Sequence, residues 1–256
     1  PAPSDVANAK NVVIVQRETD RYFRELATAK YLINNTSFGS YFVRRPGQRY
    51  VNTWHGTPIK TLGDQVKGEF LTYGNISRNL LQCTDLAVGN EWTAEVMLKD
   101  FGVKNLFSGQ LLTEGVARID ELVTLSEDAK EQHRIRLVGA AEERPILLYA
   151  PTWRGEVNTD IADSFNLEAE LQVIKLMEAS GYRVFYSAHR FVKELAVDSE
   201  LSRYLLPPGT NSYDVMPLID VLVTDYSSIF FDYLALRKAV VFYTYDLDEY
   251  LCTRGL

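Results

Sequence analysis

Short apolar runs, separated by longer stretches in which apolar residues recur at helical spacing, extend along most of the chain. Two runs, Ile146-Leu-Leu-Tyr-Ala150 and Val221-Leu-Val-Thr224, are apolar without alternation, as is typical of strands buried on both faces of a parallel sheet. The pattern therefore predicts an α/β fold built on parallel strands. The nine predicted strands are Asn11–Gln16, Lys30–Thr36, Arg49–Trp54, Leu86–Gly89, Leu106–Gly109, Ile146–Ala150, Arg183–Ser187, Val221–Thr224 and Val240–Tyr243.

A charged stretch near the middle of the chain, residues 121–144, divides this pattern in two. It has helical character at first and ends in Gly139-Ala-Ala-Glu-Glu-Arg-Pro145, immediately before a predicted strand. A chain of 256 residues is long enough for two domains of ordinary size. We therefore predict an amino-terminal α/β domain at residues 1–140 and a carboxyl-terminal α/β domain at residues 141–256.

Charge, cysteine content and missing motifs exclude several classes of protein. The 27 Lys and Arg against 34 Asp and Glu give a formal net charge of -7, which argues against broad electrostatic binding of nucleic acid. The two cysteines have no metal-ligand spacing. No Gly-x-Gly-x-x-Gly, Walker or Gly-x-Ser-x-Gly motif occurs, which argues against dinucleotide oxidoreductases, P-loop kinases and α/β-hydrolases. With neither a signal peptide nor an apolar run of roughly 20 residues, we expect a cytoplasmic protein.

Four polar clusters follow directly on predicted strands, and open parallel sheets bind their ligands at the carboxyl ends of the strands. They are Trp54-His-Gly-Thr-Pro-Ile-Lys60, Ala150-Pro-Thr-Trp-Arg-Gly155, Tyr186-Ser-Ala-His-Arg190 and Thr224-Asp-Tyr-Ser-Ser228. This shared position makes the clusters the candidate site of the protein.

The histidines and cations of these clusters each have two interpretations. His55 precedes a glycine that permits a tight turn, so its imidazole could act as a base, although a lone histidine after a strand is more often structural. Arg154, His189 and Arg190 could neutralise a diphosphate, which needs such donors. Each of these cations could equally form a surface salt bridge. Lys60 could hold a phosphate, although a single lysine in this position is more often a solvated charge.

Ser227 and Ser228 open the run Ile229–Leu236, which we predict to be a helix with Asp225 or Ser227 near its N-cap. Amide groups at a helix start together with two hydroxyls could bind an anion. The alternative is that these residues only cap the helix. Asp246-Leu-Asp248 superficially matches an Asp-x-Asp metal motif, but a single such match is a weak signal and we interpret it as a solvated loop.

Taken together, the clusters resemble the CDP-glycerol glycerophosphotransferase family, the teichoic acid primases and polymerases. The resemblance covers roughly residues 10–254. It rests on Leu26-Ala-Thr-Ala-Lys-Tyr-Leu-Ile-Asn-Asn35, Gly47-Gln-Arg-Tyr-Val-Asn-Thr-Trp-His-Gly-Thr-Pro-Ile-Lys60, Leu62-Gly-Asp64, Gly115-Val-Ala-Arg-Ile-Asp120, Leu148-Tyr-Ala-Pro-Thr-Trp-Arg154, Ala188-His-Arg190, Asp220-Val-Leu-Val-Thr-Asp-Tyr-Ser-Ser228 and Tyr245-Asp-Leu-Asp-Glu-Tyr250. The sequence departs from the family where the usual Gly-Tyr-Pro-Arg reads Gly115-Val-Ala-Arg118.

The resemblance implies a GT-B-like fold of two Rossmann-like domains with parallel sheets facing across a cleft. The first domain would be the acceptor side and would be incomplete at its start. The second domain would bind the CDP donor and would be incomplete at its end. It implies transfer of glycerol phosphate, or a related polyol phosphate, from a CDP-activated donor to a hydroxyl of a lipid-linked, teichoic-acid or capsule-like polymer, with release of CMP. No metal or cofactor is implied, and the protein would be peripheral at the inner face of the cell membrane.

The resemblance also assigns roles to individual residues. His55 would be the catalytic base. The residues that would bind the donor are Arg154, His189, Arg190, Asp225, Ser227 and Ser228, and those that would support the site are Gly56, Thr57, Lys60 and Thr152. Two other functions stay open at this point, namely a GT-B nucleotide-sugar glycosyltransferase or epimerase and a non-catalytic nucleotide-binding module.

Overall fold

The structure of the protein is a computed structural model, and it describes residues 9–66, 72–152, 166–187, 192, 196 and 199–253. The chain forms two compact units, each with its own sheet. The first unit comprises Pro1–His55 and Leu62–Glu114, and the second comprises Gly56–Thr61 and Gly115–Leu256. The predicted pair of α/β units with parallel sheets is confirmed.

The first unit holds a four-stranded sheet in which each strand lies beside the next one in the chain. Its strands are β1 (Tyr31–Asn34), β2 (Arg49–Asn52), β3 (Asp85–Ala87) and β4 (Gln110–Leu112), all parallel in the order β1-β2-β3-β4. Its helices are α1 (Asp20–Thr28), α2 (Gly74–Gln82) and α3 (Glu91–Asp100), with a 3-10 turn at Gly63–Gln65. Because the pairing is parallel, the carboxyl ends of β1 and β2 meet, with Asn34 opposite Asn52.

Apolar residues of α2, β3 and α3 form the larger core of the first unit, with Leu80, Leu86 and Met97 completely buried. Helix α3 begins at a side-chain cap, since Asn90 Oδ1 accepts a hydrogen bond from the Thr93 amide at 2.8 Å. At the opposite end of the sheet, two hydrogen bonds from Arg49 hold the pKa of the buried Asp85 carboxyl below its usual value.

The second unit holds another four-stranded parallel sheet, in the order β6-β5-β7-β8. Its strands are β5 (Ile146–Ala150), β6 (Arg183–Tyr186), β7 (Val221–Thr224) and β8 (Ala239–Phe242). Its helices are α4 (Ala117–Thr124), α5 (Glu127–Val138), α6 (Leu167–Ala179), α7 (Ser212–Val215), α8 (Ile229–Tyr233) and α9 (Leu247–Thr253), with 3-10 turns at Glu200–Tyr204, Met216–Leu218 and Leu234–Leu236.

Strand β5 is buried along its whole length, as its unbroken apolar run predicts. Ile146 and Leu148 point into a cluster that contains Leu222 and Tyr233, while Leu147 and Tyr149 belong to a second cluster on the other face. Alternate residues of a strand face opposite sides of a sheet, so this division means that both faces of the second sheet are covered at β5.

Two of the predicted strands are wrong. Residues 11–16 are irregular, with Val13 and Ile14 exposed, because an apolar run becomes a strand only where a neighbouring strand pairs with it. Leu106–Gly109 forms a turn after α3, since the amides of Leu106 and Phe107 both donate to the carbonyl of Val103. The strand of this region, β4, starts only at Gln110.

Helices α4 and α5 pack with the second sheet. Leu122 of α4 is buried in the same cluster as Ile146 and Leu218, and Leu137 of α5 packs against that cluster. The chain therefore passes from the first compact unit to the second between residues 114 and 115. The expected domain boundary at residue 140 stays a prediction.

A buried ion pair ties α4 to α8 in the second unit. Arg118 donates two hydrogen bonds to the Asp232 carboxylate, at 2.8 and 3.0 Å, and the Tyr213 hydroxyl donates to the same group. Burial and the hydrogen bond to Asp232 raise the pKa of Tyr213 to about 12. The Asp232 side chain is only 4% exposed, so its charge depends on these partners.

We expect Asp232→Ala to lower the free energy of unfolding by about 3 kcal/mol, because it leaves the partly buried Arg118 without its counter-ion. Urea denaturation followed by circular dichroism measures the change. The control is Glu95→Ala, which breaks the fully exposed pair of Glu95 and Lys104 and should hardly move the unfolding midpoint. Equal shifts in the two variants would contradict the importance of the buried pair.

Candidate functional site

The structure describes most of the predicted site residues and leaves others out. His55, Gly56, Thr57 and Lys60 follow β2, Thr152 follows β5, and Asp225, Ser227 and Ser228 follow β7. The three predicted cations Arg154, His189 and Arg190 lie outside the described residues. Ser187, from the cluster that follows β6, lies 2.6 Å from Ser212, measured between the two Oγ atoms.

His55 is exposed at the end of a sharp turn after β2. The preceding residue, Trp54, is buried with a left-handed φ of 49°, and its ring lies against the imidazole at a centroid separation of 4.2 Å. His55 Nδ1 lies 2.8 Å from the main-chain oxygen of Asn35. A carbonyl oxygen can only accept, so Nδ1 carries the proton. The neutral ring then presents the lone pair of Nε2, the form that can accept a proton.

Asn52, for which no role was predicted, connects the turns that carry Asn35 and His55. The residue is 1% exposed. Asn52 Nδ2 donates to the carbonyl of Thr36 at 2.6 Å, and Oδ1 accepts from the amide of Trp54 at 2.8 Å. The one signal in the sequence was an asparagine, a residue depleted in strands, inside the predicted strand Arg49–Trp54.

Gly56 lies against Ser228 within the second unit. A Cβ atom at Gly56 would be 3.1 Å from Ser228 Oγ, and its φ of 152° is one that side chains rarely adopt. The backbone conformation therefore favours glycine after His55, and a Cβ there would also make a tight contact with Ser228. Thr57 and Lys60, further along the same segment, are half-buried.

Asp225 fixes the loops that follow β5 and β7. Its carboxylate accepts the Thr152 amide at 2.8 and 3.1 Å and the Tyr226 amide at 2.6 Å, and the residue is 3% exposed. The strands are in register at this point, since Ala150 lies opposite Thr224 and receives a hydrogen bond from its hydroxyl. Two of the four polar clusters are therefore brought together at the carboxyl edge of the second sheet.

Ser227 acts as a weak cap, since its Oγ accepts the amide of Ile229 at 3.4 Å. The expected helix at residues 229–236 is shorter, because α8 ends at Tyr233 and continues as a 3-10 turn. A helix of this length has a small dipole, so it contributes little to anion binding by itself. This geometry favours the capping alternative for Ser227 and leaves the hydroxyl of Ser228 beside Gly56.

Asp246 contacts Tyr226, whose hydroxyl donates to Asp246 Oδ1 at 3.0 Å and whose ring stacks on Tyr250 at a centroid distance of 3.7 Å.

The described residues contain no group of three or more His, Cys, Asp or Glu side chains that could hold a metal ion. Among the helices in the part of the chain that the structure describes, none has the length and apolar character needed to cross a membrane.

Solved structures and curated proteins resemble this chain. A structure of a variant of the wall teichoic acid polymerase TagF matches 94% of this chain and 62% of its own, with a TM-score of 0.78 and 25% identity. The teichoic acid poly(glycerol phosphate) polymerase of Bacillus spizizenii is 28% identical over 96% of this chain and 64% of its own length. The teichoic acid glycerol-phosphate primase of Bacillus subtilis is 31% identical over 90% of this chain and 61% of its own length.

The chain thus spans less than two thirds of the length of each of these proteins. A family model, described as CDP-glycerol:poly(glycerophosphate) glycerophosphotransferase, matches residues 4–256 of this chain, which is nearly its whole length. The chain belongs to the CDP-glycerol:poly(glycerophosphate) glycerophosphotransferase family.

Proposed function

We propose that this chain transfers glycerol phosphate, or a related polyol phosphate, from a CDP-activated donor to a hydroxyl of a teichoic-acid polymer and releases CMP. The observation that carries the proposal is the exposed imidazole of His55, whose Nδ1 is bonded to the carbonyl of Asn35. That bond leaves Nε2 as the atom able to take a proton from an acceptor hydroxyl. Membership of the family and the names of the relatives supply the donor and the polymer.

The reaction exchanges one phosphorus–oxygen bond for another. The acceptor hydroxyl oxygen attacks the phosphorus that bears the glycerol, and the bond between that phosphorus and the bridging oxygen of the diphosphate breaks. CMP leaves with the bridging oxygen and its electron pair. The proton of the acceptor hydroxyl passes to His55 Nε2. Phosphoryl transfer of this kind needs positioning and charge stabilisation more than covalent help.

The loops at the carboxyl edge of the second sheet are the proposed donor site. Asp225 holds the Thr152 amide, so we assign it the role of positioning this edge. The proposed donor site also includes Ser228, Gly56, Thr57 and Lys60. The close approach of Gly56 to Ser228 supports this grouping. Arg154, His189 and Arg190 would neutralise the diphosphate, an assignment that rests on the sequence motifs alone.

In this proposal the two units are the two Rossmann-like halves of a GT-B enzyme, with acceptor and donor meeting in the cleft between them. The first unit is the acceptor side and supplies His55, and the second is the donor side. Association with the membrane as a peripheral protein follows from a lipid-linked acceptor and is proposed on that ground only.

A donor screen tests the proposed function directly. We expect the 256-residue chain to release CMP from CDP-glycerol or CDP-ribitol in the presence of a lipid-linked acceptor, and to leave UDP-sugars unchanged. Chromatography of the released nucleotide measures the outcome. Release of UDP from a UDP-sugar would instead identify a GT-B glycosyltransferase, and CDP binding without turnover would identify a non-catalytic nucleotide-binding module.

Substitution of His55 and substitution of His189 should affect different steps of the reaction. His55→Ala should lower kcat by about 10²–10⁴-fold with donor affinity retained, because a general base acts mainly in the transition state. His189→Ala should weaken CDP binding by about 1.5–3 kcal/mol, the value of a charged hydrogen bond. Initial rates and calorimetric titration with CDP on both variants separate the effects. Loss of CDP binding in His55→Ala alone would exchange the two roles.

Chelation should leave turnover nearly intact. Three cationic side chains, Arg154, His189 and Arg190, are assigned to the departing CMP, and they can neutralise it without a divalent ion. CMP release is measured with and without EDTA. Complete loss of activity, restored by Mg²⁺ or Mn²⁺, would overturn this assignment and make Asp246 and Asp248 the first candidates for metal ligands.

A further inference from the structure

Asn52 is the last residue of β2, and its side chain links the two turns around His55. The amide group is buried and makes three hydrogen bonds, to Thr36, Trp54 and Tyr50. The Tyr50 contact, 3.1 Å from Nδ2 to the phenolic oxygen, lies within β2 itself. The other two contacts reach the turns after β1 and β2.

The contact with Thr36 determines where the partner of His55 lies. Thr36 is the residue after Asn35, and the Asn35 carbonyl is the atom that faces His55 Nδ1. Since Asn52 Nδ2 donates to the Thr36 carbonyl at 2.6 Å, it fixes the next peptide unit of the same turn. Thr36 is also held from its other side, because its amide donates to Asn34 Oδ1 at 2.9 Å.

The contact with Trp54 determines the direction of His55. Trp54 has a left-handed φ of 49°, which is unfavourable for a bulky residue. Its amide donates to Asn52 Oδ1 at 2.8 Å, and this bond holds the strained turn. His55 follows directly, with its ring against that of Trp54.

We propose that Asn52 is the positioning residue that sets the tautomer of His55. By donating to one turn and accepting from the other, its amide keeps the Asn35 carbonyl in reach of Nδ1 and so reserves Nε2 for the substrate. The consequence for catalysis rests on the proposed function, in which His55 is the base. The tautomer itself is a property of the first unit and is measurable without any substrate.

Gln48 provides a matched control at the opposite end of the same strand. It immediately precedes β2, is 4% exposed, and has the same chemistry. Its Nε2 donates to the carbonyls of Leu26 and Ala29 at 3.0 and 2.7 Å, and its Oε1 accepts the Arg45 amide at 2.9 Å. Replacing either amide with a carboxylate removes two donated hydrogen bonds from a buried position, but only Asn52 is connected to the turns of His55.

The experiment compares Asn52→Asp with Gln48→Glu, and adds Asn52→Ser as a smaller variant in case the introduced carboxylate prevents folding. Asn52→Asp keeps an oxygen that can accept from the Trp54 amide and loses the N–H donor to Thr36. Asn52→Ser also keeps an oxygen acceptor, but on a shorter side chain without the Nδ2 group that donates to the Thr36 carbonyl. Long-range ¹H–¹⁵N spectra of histidine-labelled protein report which nitrogen of the His55 ring carries the proton. A His55→Gln sample assigns the signal.

In the unaltered protein we expect His55 to be mainly protonated at Nδ1, and in both position 52 variants we expect a mixture of tautomers. Gln48→Glu should keep the wild-type spectrum. The position 52 variants should lose about 10–100-fold in kcat, as is typical when the partner that orients a functional histidine is removed, while KM for the donor stays within a factor of two or so.

Three results would overturn the proposal: a wild-type His55 mainly protonated at Nε2, an unchanged tautomer in a folded Asn52 variant, or an equal change in Gln48→Glu. The spectra also separate this inference from the proposed function. If the tautomer responds as expected but the wild-type chain releases no CMP from any donor, the positioning role of Asn52 stands and the proposed reaction is wrong.

Discussion

Parallel pairing of strands is the constraint on which both sheets depend. Every strand among the described residues runs in the same direction as its neighbour. The chain must therefore return to the starting edge after each strand, and the carboxyl ends of each sheet are left at one edge. The loops at that edge have main-chain groups with no partner in the ladder. Those groups must be satisfied by side chains wherever they are buried.

The two units meet this requirement in related ways. In the first sheet, Asn52 contacts its own following turn at Trp54 and the turn of the neighbouring strand at Thr36. In the second sheet, Asp225 contacts its own turn at Tyr226 and the neighbouring loop at Thr152. The residue type follows from what the neighbour presents. Thr36 presents a carbonyl, so an amide that can donate is needed, whereas Thr152 presents an N–H, so a carboxylate suffices.

The sequence was informative where one local rule decides the structure. An unbroken apolar run is enough to predict β5 and β7, because only a strand covered on both faces tolerates it. The turn at Leu106–Gly109 was missed, since its amides bond to Val103 through contacts that apolar content does not encode. In the site, His55 and Gly56 were visible as a motif. The role of Asn52 was not, because it depends on a register between β1 and β2 that only the fold provides.

The passage of the chain between the units has a consequence for dissecting the protein. The chain passes from one compact unit to the other between residues 55 and 56, returns between residues 61 and 62, and passes over again between residues 114 and 115. A fragment that starts at Gly115 would therefore lack Gly56–Thr61, six residues that pack with it, and Ser228 would lose its neighbour Gly56. The complementary fragment would carry that segment without its packing partners. Cutting the gene at the last crossing thus yields two incomplete folding units.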